Sequence, residues 1–220
     1  MLRLLLQIVA LLYLVPMVLA IFYNWVNPVS TLMLARWVTA QPVERQWTPI
    51  EDISPVLVRT VIASEDAGFC QHGGIDLAEM GRMISRAQGL NDLRGTSTIT
   101  MQVVKNLFLW QKPEILRKLF EMPLAVWVDL VMSKRRILEI YLNIAEWGPD
   151  GQFGVAAGAQ AAFGVPPPKL SAREAALLAV MLPNPQGRHA GAPSPGVRRL
   201  AARLQARVPK EGPQVAACIY

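Results

Sequence analysis

The sequence predicts a mostly α-helical domain preceded by one N-terminal transmembrane helix. Three observations carry this. Apolar residues recur at helical spacing in several separate segments, with capping residues and prolines where those segments start and stop. No strand pattern of consequence appears in the sequence. Residues 4–23 are apolar except for Gln7, and about 20 residues of helix span a bilayer core. The length of 220 residues suits one domain of ordinary size plus that anchor. A hydrophobic fraction of 52% with a positive mean hydropathy is high for a soluble domain, as expected if part of the chain faces lipid.

A cleaved signal peptide would carry an apolar core of about 7–15 residues. This run is longer, and Tyr23 and Trp25 follow it as interfacial aromatics do, so residues 1–26 read as a cytoplasmic stub and an uncleaved anchor. Pro16 is tolerable in a spanning helix, and Arg3 and Arg36 orient it only weakly. Residues 27–45 form a juxtamembrane linker; the prolines at 28, 42, 49 and 55 predict irregular chain up to residue 55, with Trp37 and Trp47 at the membrane surface. The domain is set at residues 46–187.

Its first helix spans residues 53–63, entered at Ser54 with Pro55 at the first helical position. Residues 76–88 predict another helix, 89–95 a polar loop, and Ser97 the cap of the next. Pro113 starts a helix that Pro123 kinks or ends within a turn, and residues 124–132 return to the core. Residues 134–146 place Ile137, Leu138, Tyr141, Leu142 and Ala145 on an apolar face; Arg135, four residues before Glu139, offers that carboxylate an ordinary ion pair. Residues 148–164 are rich in glycine and alanine, allowing close backbone approach. A helix over 171–182 opens with a capping box, Ser171 three residues before Glu174. The tail, 188–220, is rich in proline and arginine and predicts poor order.

The net charge of +6 gathers at Arg117 and Lys118, at 134–136 and at 198–210. Cationic surface beside an anchor favours anionic lipid or a pyrophosphate-bearing ligand. With no recognition motif, nucleic acid is a poor alternative. The two cysteines, Cys70 beside the candidate site and Cys218 near the end, predict free thiols, and no spacing suggests zinc.

Two stretches carry chemistry. In residues 61–76 the acids Glu65 and Asp66 follow an apolar run and precede Phe69, His72, Gly73 and Gly74. A carboxylate against apolar neighbours at a helix C-terminus has a raised pKa and suits a base; the competing reading is an exposed acid pair at a helix start. In residues 95–109, Thr98, Gln102 and Lys105 share a helix face with Asn106 at its edge, beside an apolar face of Ile99, Val103 and Leu107. That polar stripe is either a solvated face or one satisfied by a phosphate or sugar.

The order Glu-Asp-x-x-Phe-x-x-His-x-Gly, then Ser-Thr-Ile-Thr-x-Gln-x-x-Lys-Asn, resembles the peptidoglycan glycosyltransferases, specifically the monofunctional biosynthetic transglycosylases. The resemblance runs on through Arg117-Lys118-x-x-Glu121 and the Lys134-x-x-Ile137-Leu138-Glu139-x-Tyr141-Leu142-Asn143 block, covering about residues 45–187. It implies a lysozyme-like fold and the polymerisation of lipid II into glycan strands with inversion. Glu65 matches the family's base, and Glu121 its second functional acid. Lys105, Arg117 and Lys118 match pyrophosphate-facing cations, and Thr98, Gln102 and Asn106 match substrate contacts. Asp66 reads as a supporting or metal-associated partner, and Phe69 and His72, grouped with the substrate-binding residues, mainly as shaping their block.

A divalent cation, magnesium or manganese, suits chemistry and resemblance alike, near Asp66 or Glu121. The resemblance implies a single-pass protein of a bacterial inner membrane with its domain on the periplasmic side. Lipid II and the growing strand would be its ligands, and wall-synthesis and division proteins its partners. The alternatives are a non-catalytic scaffold of that machinery and, less favoured by the cations, a lytic glycan-cleaving enzyme. The sequence departs from the family pattern at Thr96, Met101 and Ala162, and lacks the usual aromatic after residues 182–185.

Overall fold

The computed structural model describes residues 2–86, 97–110 and 114–220. Ten helices, α1 (Leu2–Phe22), α2 (Thr31–Val38), α3 (Pro55–Glu65), α4 (Leu77–Arg86), α5 (Ile99–Phe108), α6 (Glu114–Val131), α7 (Lys134–Ile144), α8 (Val155–Phe163), α9 (Ala172–Met181) and α10 (Pro195–Glu211), make up most of it. Two short strands, β1 (Glu44–Arg45) and β2 (Gln152–Phe153), pair in parallel, Glu44 opposite Gln152. The mostly helical class is as the sequence predicts.

Two groups of helices build the core. α3 packs on α9, with α10 laid across both, while α5 lies between α6 and α7. α3, α5 and α9 are largely buried, so apolar residues cover most of each helix, with Gln102 and Lys105 on the less buried strip of α5. α3 starts as expected, with Ser54 as N-cap and Pro55 at the first position; the Ser54 hydroxyl turns away and donates to Leu170 O. α9 opens with the expected reciprocal capping box of Ser171 and Glu174.

Several expectations are corrected. The irregular linker contains α2, entered where the Ser30 hydroxyl accepts the Met33 N–H, and β1; the prolines lie outside both elements. Trp47 is stacked between the Arg45 and Arg136 guanidinium groups, 4.9 and 5.1 Å from its ring centre. Thr98, not Ser97, caps α5. Pro123 neither ends nor breaks α6, which runs on to Val131. A proline leaves the carbonyl four residues earlier without its helical donor. Here that carbonyl is Leu119 O, and the Tyr13 hydroxyl of α1 donates to it at 3.2 Å. Trp127 Nε1 likewise donates to Met17 O, so α1 lies parallel to α6. The polar loop at 89–95, Thr96 and Pro113 lie outside the described residues, as do the last residues of the helix expected to reach 88.

The largest correction is the C-terminal segment. Residues 188–220, expected to be poorly ordered, contain α10, whose Val197, Ala201 and Leu204 face α3 and α9. Apolar residues at i, i+4 and i+7 give the arginine-rich stretch one buried stripe, which composition alone conceals. α10 carries the chain end back to the loop after α3, where Cys218 forms a disulfide with Cys70 across 148 residues of sequence. The expected free thiols are therefore absent.

α1 is one helix through Pro16. Its side chains are described continuously from Ala10 onward, and among the described residues no helix is long and apolar enough to cross a membrane.

Candidate active site

α3 ends at Glu65, and Asp66 is its C-cap. At a helix C-terminus the unsatisfied carbonyls disfavour a carboxylate, and here burial adds to that. Burial is the main cause that raises the Glu65 pKa; the Gln102 amide, the charge of Lys105 and the Ser64 hydroxyl pull it back, and the neighbouring Asp66 raises it a little further. Gln102 Nε2 donates to Glu65 Oε2 at 3.0 Å. The other end of that amide, Oε1, accepts the Tyr141 hydroxyl at 3.3 Å. Tyr141 on α7 is 1% exposed. Burial first, then the charges of Glu65 and Asp66, push its phenol well above the usual range, so it remains a neutral donor.

Asp66 turns away from chemistry. His72 Nε2 lies 2.9 and 3.1 Å from its two oxygens, and Oδ2 also accepts the Ile99 N–H at 2.9 Å. The carboxylate thereby ties the loop after α3 to the first turn of α5. Facing a carboxylate, Nε2 carries the His72 proton, and the buried Nδ1 has no hydrogen-bond partner among the described residues. Phe69, fully buried and 4.5 Å beneath Lys134 Nζ, offers no surface to a ligand. Lys134 also donates to His72 O and pairs with Asp129. Thr98 spends its hydroxyl accepting the Met101 N–H and donating to Gly74 O. Gly74 itself has φ +88°, and a Cβ there would meet the backbone of Ala125 inside van der Waals contact. Phe69, His72 and Thr98 thus hold the loop after α3 against α5 and α7, and Thr98 also lines the cavity.

The cations come from α5 and α6. Arg117 and Lys118 both bind Glu121, whose carboxylate is 1% exposed: Arg117 Nη1 pairs with Oε2, and Lys118 Nζ lies 3.2 Å from Oε1. Lys118 also donates to Ser97 Oγ at 2.6 Å. Both cations converge on this one carboxylate. Lys105 is partly exposed and close enough to Glu65 to lower its pKa, whereas Asn106 is buried with its carbonyl accepting from Thr31. Glu139 has the structural role expected, but its partners are Arg136 and the Ile50 N–H, because Arg135 reaches Glu51 and Ile219 O instead.

Glu65, Asp66, Ser97 and Thr98 line one cavity of about 430 Å³, together with Asp76, Glu79, Arg82 and, from α10, Arg207. Sequence reasoning missed Tyr141 and Arg207. The signal for Tyr141 was present, since a tyrosine on a buried helix face needs a partner for its hydroxyl; Arg207 was hidden in the supposed tail. Met101, one departure from the family pattern, is fully buried, so it changes the core and not the cavity wall.

Among the described residues, the two carboxylates expected to lie near a divalent cation are already engaged. Asp66 is engaged by an imidazole and an amide, and Glu121 by two cations. Among the described residues no group of three or more metal-ligating side chains gathers.

A family model described as Transglycosylase matches residues 32–207. The chain is 59% identical to a "Biosynthetic peptidoglycan transglycosylase" of Rhodopseudomonas palustris strain TIE-1, over 87% of this chain and 81% of the relative. Proteins of the same description from Mesorhizobium japonicum and Rhizobium etli are 52% and 50% identical, over 96% and 99% of this chain and 90% and 93% of theirs. The match spans the elements that build the cavity, from α3 through α10, and the chain belongs to the transglycosylase family.

Proposed function

We propose that this protein is a membrane-anchored peptidoglycan glycosyltransferase that polymerises lipid II. The observation that carries the reading is Glu65: a carboxylate at a helix end, raised in pKa by burial and aimed by the Gln102 amide, in a cavity lined by Ser97, whose hydroxyl accepts from the Lys118 ammonium. Ionised Glu65 takes the proton from the 4-hydroxyl of the incoming N-acetylglucosamine as that oxygen attacks the anomeric carbon of the donor. The carbon–oxygen bond to the pyrophosphate breaks on the opposite face, giving inversion and releasing undecaprenyl pyrophosphate.

No strong proton donor is needed for this leaving group. Lys105, Arg117 and Lys118 stabilise its charge, and Glu121 acts by fixing the positions of the last two. A divalent cation enters the proposal as a companion of the substrate's pyrophosphate, not as a resident of the described side chains.

The anchor is part of the same reading. The backbone of α1 is helical over Leu2–Phe22, and Leu11, Leu14, Val15, Val18 and Phe22 are exposed on it, beside Leu116, Leu119 and Leu130 of α6. We read this exposed apolar surface as facing lipid, with the cavity beside the membrane that holds its substrate. The periplasmic side, an inner membrane and wall-synthesis partners complete the proposal.

The test is incubation of detergent-solubilised protein with labelled lipid II and a divalent cation. Wild type is expected to make lysozyme-sensitive polymer, and Glu65→Gln none. Polymer from both would remove Glu65 as the base; polymer from neither would favour a scaffold.

A further inference from the structure

We infer that Arg207 is an anion-binding residue on the acceptor side of this cavity, holding a phosphate or carboxylate of the incoming glycan substrate. The inference rests on the polymerase reading and adds a residue from the segment that sequence analysis set outside the domain.

The first support is position. Arg207 lines the same cavity as Glu65, and its Nη2 donates to Ala63 O, two residues before Glu65. The guanidinium is therefore fixed to the helix end that presents the base. α10 is packed on α3 and α9, and the segment after it is held by the Cys70–Cys218 disulfide and by Arg135 donating to Ile219 O. A charge on so braced an element has a defined place.

The second support is charge. Four acids line the cavity, Glu65, Asp66, Asp76 and Glu79, against two cations, Arg82 and Arg207. Arg82 is already paired with Glu79 at 2.7 Å. Arg207 Nε lies 3.6 Å from Glu211, which is not part of the wall, and its side chain is half exposed, so among the described lining residues it is the cation not already paired with an acid of the wall. An anionic substrate entering this acidic wall needs that cation.

The third is division of labour. Lys118 of the α6 cluster touches the cavity wall through Ser97, whereas Arg207 lines the cavity from α10 beside Ala63. Two substrates meet at Glu65, each carrying anions, and the proton goes to Glu65 from the acceptor. The α6 cluster serves the departing pyrophosphate; Arg207, on the base's own helix end, serves the acceptor.

The experiment measures KM and kcat for lipid II polymerisation by wild type, R207Q, R207K and R203Q, with the melting temperature of each. Arg203 is exposed one turn earlier on α10 and does not line the cavity, so R203Q removes the same charge elsewhere. R207Q is expected to raise KM about tenfold with kcat within about twofold, R207K to fall between, and R203Q to match wild type. An unchanged KM in R207Q overturns the inference, as does a KM raised equally by R203Q, or a fall in kcat alone. Should R207Q not fold, R207K decides: a KM at the wild-type value overturns, and a rise of about threefold supports.

A second arm uses lipid II whose stem-peptide carboxylates are amidated. If a carboxylate is the ligand, wild type shows the R207Q value; if a phosphate is, it keeps its own. Wild-type kinetics in R207Q strike this inference alone, whereas a wild type that makes no polymer takes down the polymerase reading and this inference with it.

Discussion

Gln102 donates to Glu65 at 3.0 Å only because its amide is turned the right way, and Tyr141 is what turns it. An amide presents a donor at one end and an acceptor at the other. With Tyr141 giving its proton to Oε1, Nε2 is left for the carboxylate. Tyr141→Phe removes that restraint at almost constant volume. A neutral hydrogen bond of about 0.5–1.5 kcal/mol corresponds to a loss of about 2- to 12-fold in kcat. Losing the Gln102 contact also removes the largest influence lowering the Glu65 pKa, so the acid limb of kcat/KM is expected to move to higher pH. Wild-type rate with an unmoved limb would mean that Gln102 is oriented by something else.

Glu65 itself is expected to cost stability where it is active. Its pKa is raised in the folded state above the unfolded value, so between the two values the folded protein binds more protons than the unfolded one. Stability then falls as pH rises through that window, and the loss is complete above the folded pKa. Activity runs the other way, rising as Glu65 ionises. Glu65→Gln, neutral at every pH, should lose polymerisation at neutral pH and yet melt roughly 2–4 °C above wild type there. At a pH below the unfolded glutamate value the gain should vanish. A lower melting temperature at neutral pH would contradict the burial argument.

Much of this site was legible in the sequence because its parts sit on regular helices. Ser54-Pro55 fixed where α3 begins, and counting from it put Glu65 near the C-terminus of that helix. The spacing of Thr98, Gln102 and Lys105 gave one face of α5, although Thr98 proved to be the cap. What stayed hidden was long-range. Pro123 is tolerated only because Tyr13, from a distant helix, satisfies the carbonyl it orphans, and no local rule reports that. Asp66 and His72 lie six residues apart in one short loop, but that Asp66 also holds the Ile99 N–H depends on how α5 docks. Arg207 and the disulfide were invisible for the same reason, since a stretch rich in proline and arginine gives no sign of the α3 and α9 surfaces that order it.

Gly74 is where the loop crosses α6. Its φ of +88° alone costs a residue with a side chain about 1–2 kcal/mol, and a Cβ would also press on the Ala125 backbone. Backbone has no alternative rotamer with which to give way. Gly74→Ala is therefore expected to destabilise by about 2 kcal/mol or more, read by chemical or thermal unfolding. Because Gly74 O receives the Thr98 hydroxyl, the shift should also loosen the cap of α5 and lower polymerisation. A variant as stable as wild type would mean that the loop passes α6 at greater distance.

The disulfide closes a loop of 148 residues between the segment carrying Asp66 and His72 and the chain end. Cross-linking so long a loop removes much of the freedom of the unfolded chain, which in the chain-entropy account is worth about 3–5 kcal/mol. The same bond holds the end of the chain against the loop that follows Glu65, where Cys218 N donates to Cys70 Sγ at 3.2 Å. Cys70→Ser with Cys218→Ser should therefore lower the melting temperature and raise KM for lipid II, by freeing the segment that bears Arg207. A thiol reductant on wild type should reproduce the double variant and leave that variant unaffected. The comparison separates two contributions: if the melting temperature falls while KM holds, the bond supports the fold alone, and α10 packing by itself keeps Arg207 in the cavity.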